Sequence, residues 1–182
     1  MKPVLLIAFA TLCFAYTEPR VSLAAIHAVE TSMNNTFGAH GTDPWVLYGN
    51  SRGTYLDGYG VLFTFDLDLI NTGGLTFNPS PFKPTVSPEE IATVRDRKMK
   101  KLPELREAMR SILTDSSTTL EGLPAHERIS MEASLLSYSW EKNGKDMPRR
   151  IFMTAEKQKL LDAKTSHATQ AQLANIIDEQ DQ

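Results

Sequence analysis

Asp66 and Asp68 stand two residues apart in Val61–Ile70, a stretch that alternates apolar and polar residues. Both carboxylates therefore project from one face of a strand, about 7 Å apart. That spacing is near the range used by paired acids in hydrolysis and by ligands of a hard cation. Asp57 lies upstream between Tyr55 and Tyr59, and these three acids and two tyrosines are the candidate ligand or interaction surface. As chemistry, they describe a small hydrolase or ligand-binding enzyme, metal-independent or cation-assisted, with Asp57, Asp66 or Asp68 as acid, base or cation ligand. A solvated sheet face accounts for the same residues, with the acids pairing to Arg128 or Arg150 on neighbouring strands and discouraging edge-to-edge association. The enzyme requires carboxylates that converge in a concave pocket, whereas the solvated face spreads them over open surface.

Other residue types add no catalytic, cofactor or metal assignment. The four histidines, His27, His40, His126 and His167, are far apart and form no zinc spacing. Neither a Gly-x-Ser-x-Gly elbow nor a Gly-x-x-x-x-Gly-Lys loop occurs. Arg95, Arg97, Lys98, Lys100 and Lys101 form a basic run suited to phosphate or anionic lipid. Asp96, Glu104 and Glu107 share that helical surface, so a solvated face laced with local ion pairs is the simpler reading. The chain of 182 residues carries a net charge of -3, and its 41% apolar and 23% charged content is that of a folding domain. Nucleic acid is not the expected partner.

The start of the chain carries a different signal. Lys2 precedes a 13-residue apolar run from Val4 to Tyr16, shorter than the roughly 17 to 25 residues of a spanning helix. This is the layout of a secretory signal peptide, expected over residues 1–24. Ser22, Leu23 and Ala24 form a small-residue exit, with cleavage after Ala15 or Ala25 as alternatives. The lone cysteine, Cys13, leaves with the peptide, and Leu12 in front of it argues against a lipid anchor. About 158 residues remain, enough for one core and too few to favour two, and no transmembrane span is expected among them. Asn34, Asn35 and Thr36 match an N-glycosylation acceptor.

The elements that must position the candidate residues follow from periodicity. Residues 25–44 carry no sustained apolar period and read as a poorly defined helix and loop. A single α+β domain is expected over 45–165, followed by a C-terminal helix and tail over 166–182. Trp45–Tyr48 is a short strand, Gly49–Gly53 a turn, and Asp57–Gly58 a second turn or bulge. Val61, Phe63, Phe65, Leu67 and Leu69 then define a buried strand face, with Leu62, Thr64, Asp66, Asp68 and Ile70 opposite. Asn71–Ser87 is a connector. Ser87, Pro88 and Glu90 start a long helix with a capping box, carrying Ile91, Val94, Leu102, Leu105, Met109, Ile112 and Leu113. Pro103 should kink or split it, and the polar run Asp115–Thr119 should fray it. Residues 128–154 read as a hairpin turning at Asn143–Gly144. Thr154 is placed to cap a helix over Ala155–Ala163, and Thr169 with Gln172 a last one. The expected fold class is α+β, an antiparallel sheet of a strand pair, a long helix and a strand hairpin, with helices packed on one face.

Tyr55, Leu56, Gly58, Tyr59, Gly60, Val61 and Phe63 resemble a Tyr-Leu-x-Gly-Tyr-Gly-Val-x-Phe pattern found in uncharacterised secreted proteins of bacteria. The resemblance implies a bacterial exported protein with this order of elements and carries no activity with it. A tight turn feeding a strand explains the glycines equally well. The leader and the lack of a catalytic motif favour a non-enzymatic domain of the periplasm or cell exterior, engaging a protein or cell-envelope component through a sheet face or edge.

Overall fold

The computed structural model describes residues 21–38, 45–71, 87–138, 140–141 and 147–182. The alternating run at its centre is β2 (Gly60–Asp68), whose inward residues Val61, Phe63, Phe65 and Leu67 are all buried. β1 (Val46–Leu56) folds back on it across a turn at residues 57–59. β3 (Arg128–Leu135) and β4 (Arg150–Glu156) form the expected hairpin, with Ile129, Met131, Ala133 and Leu135 inward. β5 (Asp178–Asp181) pairs with β4, giving the order β1-β2-β3-β4-β5. Among the described residues there are four helices, α1 (Leu23–Phe37), α2 (Pro88–Thr119), α3 (Lys157–Thr165) and α4 (Gln170–Ile176). α2 touches the other three as well as β3, so all four form one layer against the sheet. The α+β class holds. The Asn143–Gly144 turn and nearly all of the 71–87 connector lie outside the described residues.

One pair departs from the antiparallel expectation: β2 and β3 run parallel, from Gly60 opposite Arg128 to Leu67 opposite Leu135. Parallel neighbours need a crossover that brings the chain back to the end where it started. α2, with 32 residues and hence about 48 Å of helix, is that return path.

The N-terminal helix is better built than its sparse periodicity suggests. Ile26, Val29, Met33 and Phe37 form one buried stripe, and Ser22 caps the helix by accepting the Ala25 amide at 3.1 Å. The boundary drawn after residue 24 therefore falls inside α1. The expected turn at Gly49–Gly53 is instead a bulge within one continuous strand, where the β1–β2 register shifts between Tyr48 and Arg52 and Gly49 takes φ +74°. α1 grips this bulge. Asn34 Oδ1 accepts the Ser51 amide at 2.9 Å, and Glu30 Oε1 accepts the Gly53 amide at 2.7 Å. The asparagine of the glycosylation pattern thus serves as an edge clamp. Gly53 is required here, because a Cβ would lie 2.5 Å from Ile26 Cγ2 and 2.6 Å from Phe63 Cε1.

Ser87 and Glu90 form the expected capping box. Pro103 does not split α2: it is exposed, and the carbonyl it deprives belongs to Met99, a solvent-facing residue where water can replace the lost bond. Nor does the polar run fray. Thr114, Ser116 and Ser117 are buried and return their hydroxyl protons to carbonyls three or four residues back. The expected cap at Thr154 is also overturned, since β4 continues to Glu156 and the Thr154 hydroxyl is committed to Arg128 and Ser130. α3 starts at Lys157, whose ammonium donates to the carbonyls of Leu120, Glu121 and Leu123 just past the end of α2. The Thr169–Gln172 box does open α4. Beyond it, the residues read as a tail form β5, tied to α2 through Arg106 to Glu179 and Asp181 and through Arg110 to Glu179.

Phe65 stacks on Phe37 with ring centroids 4.4 Å apart. Phe65→Ala should lower unfolding free energy by about 3 to 5 kcal/mol in chemical denaturation; a loss below about 1 kcal/mol would place this ring outside the core. Replacing Glu30 and Asn34 together by alanine strips the acceptors from two edge amides. We expect a loss of about 1 to 3 kcal/mol and concentration-dependent association in light scattering. A double variant that stays monodisperse at unchanged stability would show that the edge needs no clamp.

Candidate functional site

The Gly-Tyr-Gly segment is shaped by backbone geometry. Gly58 takes φ +76° in the turn, and Gly60 takes φ +132° where a Cβ would sit 1.9 Å from the Arg128 carbonyl oxygen. No other residue allows that approach. It lets the Arg128 amide donate to the Tyr59 carbonyl at 2.8 Å, and the tyrosine ring swings onto the sheet face away from the helices. There its hydroxyl meets Ser130 Oγ at 3.0 Å, Ser130 Oγ meets Thr154 Oγ1 at 2.8 Å, and Arg128 Nε donates to Thr154 Oγ1 at 3.0 Å. Arg128 also donates to Asp178 at 2.6 Å. One polar chain therefore crosses the sheet from the β1–β2 turn to β5.

Around this chain lies the face that no helix covers among the described residues. Tyr48, Leu56 and Tyr59 are 44, 44 and 38% exposed, and Leu62 and Phe152 are half-buried. Thr64 and Asp66 are exposed beside them, and Glu132 approaches Arg150 at 3.7 Å. Asp66 thus sits on open surface, without the Arg128 or Arg150 pairing considered from sequence.

The other four residues of the candidate set do not gather around Asp66. Tyr59 lies on the open face as described. Tyr55 is opposite Val61 on the helix side, where its hydroxyl donates to Asp57 at 3.3 Å or to Glu127 at 3.4 Å. Burial and these two carboxylates push the Tyr55 phenol up. Asp57 is exposed in the turn.

Asp68 is the largest correction. Strand alternation places it on the water side of β2, yet it is 1% exposed and lies 3.1 Å from Lys98 Nζ, itself 2% exposed. Lys98 also meets Glu141 at 2.8 Å, donates to the Leu136 carbonyl at 3.0 Å and stands 5.5 Å from the centre of the Tyr138 ring. Trp140 stacks on Tyr138 and Tyr48 reaches the Tyr138 hydroxyl, so the segment after β3 seals this end of the sheet. The basic run is therefore no continuous patch, because its central lysine points inward. A signal for this was present: Lys98 falls between Val94 and Leu102 on the buried stripe of α2.

The carboxylates Asp57, Asp66 and Asp68 do not converge on a shared cavity among the described residues. Two recesses lie elsewhere, one of about 240 Å³ between α2 and the α3–α4 corner and one of about 570 Å³ at the start of α2, and none of the three acids lines either. Among the described residues no group of three or more His, Cys, Asp or Glu is placed to hold a metal ion. No protein-family model, characterised protein or solved structure matches the chain. The arrangement offers contact chemistry, aromatic and aliphatic surface interleaved with hydrogen-bonded polar groups.

Asp66 and Asp68 looked equivalent in sequence and should behave oppositely on mutation. Asp66→Ala should change stability by no more than about 0.5 kcal/mol. Lys98→Met, which strands Asp68 and Glu141, should cost about 3 to 5 kcal/mol by chemical denaturation; equal, small effects would mean the ion cluster is solvated. Tyr48 offers a spectroscopic check, since its hydrogen bond with Tyr138 and then burial push its phenol up to about 12. The neutral phenol is favoured by the fold, so its contribution is fully present below pH 10 and lost as pH rises through about 12. Ultraviolet titration should show Tyr48 and Tyr55 ionising late, and Tyr48→Phe should remove the component near 12 while leaving that of Tyr55.

Proposed function

We propose that this is an exported, non-enzymatic interaction domain of the bacterial envelope or exterior, which engages a protein or envelope component through the uncovered face of its sheet. The observation that carries the reading is the one-sided packing among the described residues: their four helices lie on one face, and the other keeps Tyr48, Leu56 and Tyr59 at the surface. Tyrosine presents a large apolar contact with a polar tip and few rotatable bonds, which suits it to recognition. Mixed charges rim these side chains, Asp66 and Asp178 against Arg128 and Arg150, as in protein–protein contacts and unlike the uniform positive field that nucleic acid requires. Export is supported by the leader layout of residues 2–16 and by the resemblance of Tyr55–Phe63 to secreted bacterial proteins. No described helix is long and apolar enough to cross a membrane.

The test is site-specific photo-crosslinking in the native cell. A photoreactive side chain at Leu56, on the open face, should give a discrete adduct outside the cytoplasm, and the same group at Glu107, exposed on α2, should not. Adducts of equal yield from both faces, or adducts confined to the cytoplasm, would overturn the proposal.

A further inference from the structure

Residues at the very start of the described chain are structural. Val21 is 1% exposed and belongs to the core with Ile26, Val29 and Met33. Ser22 caps α1 twice, its side chain accepting the Ala25 amide at 3.1 Å and its carbonyl accepting the Ile26 amide at 3.2 Å. The helix that they begin places Phe37 against Phe65 and supplies the Glu30 and Asn34 clamps on β1. Cutting after Ala24 would delete Val21 and Ser22 and put a new α-ammonium within the first turn of α1, where the helix dipole disfavours positive charge. Cutting after Ala25 would do the same and remove one more residue of that turn.

We propose that the leader is removed at the Ala15–Tyr16 bond, ahead of the first packed residue. Cys13 and Ala15 supply small residues third and first before that bond, and Val4–Leu12 supplies the apolar run. Tyr16–Arg20 then precede Val21, so the new ammonium falls six residues before the Ser22 cap in sequence. The step is hydrolysis by a membrane-bound leader peptidase: the Ala15 carbonyl carbon–Tyr16 nitrogen bond breaks, water's hydroxyl completes the Ala15 carboxylate and its proton goes to the Tyr16 amine. Cys13 leaves with the peptide, so the exported chain carries no thiol. The inference rests on the export reading and adds the position of the cut.

The experiment is the intact mass of the full chain, expressed from its own start codon in a bacterium and recovered outside the cytoplasm. A mass beginning at Tyr16 is expected, with Ala15→Leu accumulating uncleaved precursor and Ala24→Leu leaving the mature start unchanged. An exported chain beginning anywhere else, at Ala25 above all, overturns the cut site and keeps export. A full-length mass retained inside the cell or in its membrane overturns both.

Discussion

A parallel β2–β3 pair can be joined only by a chain that travels back along the sheet, and that requirement organises the rest of the protein. α2 makes the return as one helix, and because it runs the length of the sheet it is the element that α1, α3 and α4 all pack against. Two buried lysines secure it, with opposite chemistry. About three turns in, Lys98 of α2 itself reaches the carboxylates of Asp68 and Glu141, joining the end of β2 to the segment after β3. At the finish, the last turn of α2 carries no basic residue, and Lys157 from α3 delivers the positive charge to the carbonyls there. The negative end of the helix dipole is thereby neutralised from outside the helix. Burial pushes the Lys157 ammonium down in pKa, and three carbonyl acceptors hold it in place.

The two outer strands face the usual hazard of unpaired backbone, and each is managed by side chains from another element. On β1 the bulge turns the Ser51 and Gly53 amides toward α1, whose Asn34 and Glu30 take the place of a neighbouring strand. On the far side β5 covers β4, and its sequence, Asp-Glu-Gln-Asp, has no apolar residue at all. A strand of that composition has little intrinsic reason to form. Arginines hold it from both faces of the sheet, Arg106 and Arg110 from the helix layer and Arg128 from the open side. The remaining edge is therefore short, charged and already neutralised, which discourages a second chain from adding to it.

How far the fold was legible follows from these cases. β2, the β3–β4 hairpin, the capping boxes at Ser87 and Thr169 and the fold class all rest on local pattern, and local pattern sufficed. β5 was illegible because its stability comes from arginines about 50 to 75 residues away in the chain. Thr154 misled because a hydroxyl that can cap a helix can equally join a cross-strand ladder, and only the position of Arg128 and Ser130 decides between them. Asp68 misled for a related reason: strand parity assigned it to water, but parity says nothing about a loop that returns to cover the end of the strand. Lys98 was half legible, since its place on the apolar stripe of α2 was visible, yet its charge class directed attention to the surface.

The uncovered face of the sheet is not an unfinished core. A face awaiting a second layer would be continuously apolar and prone to association, whereas here Leu62 and Phe152 are set among Thr64, Asp66, Ser130, Glu132 and Thr154. Ser130 and Thr154 are buried on that face although no described helix lies over them, and Tyr59 and Arg128 hydrogen-bond to them there. The same bonds hold the two long side chains against the sheet. A tyrosine already fixed by its hydroxyl has little rotamer freedom left to lose when a partner arrives, so its exposed ring contributes contact area at low entropic cost. Gly60 is what makes this possible: its close approach to Arg128 joins β2 to β3 where the turn begins, and the turn in turn sets the direction of Tyr59.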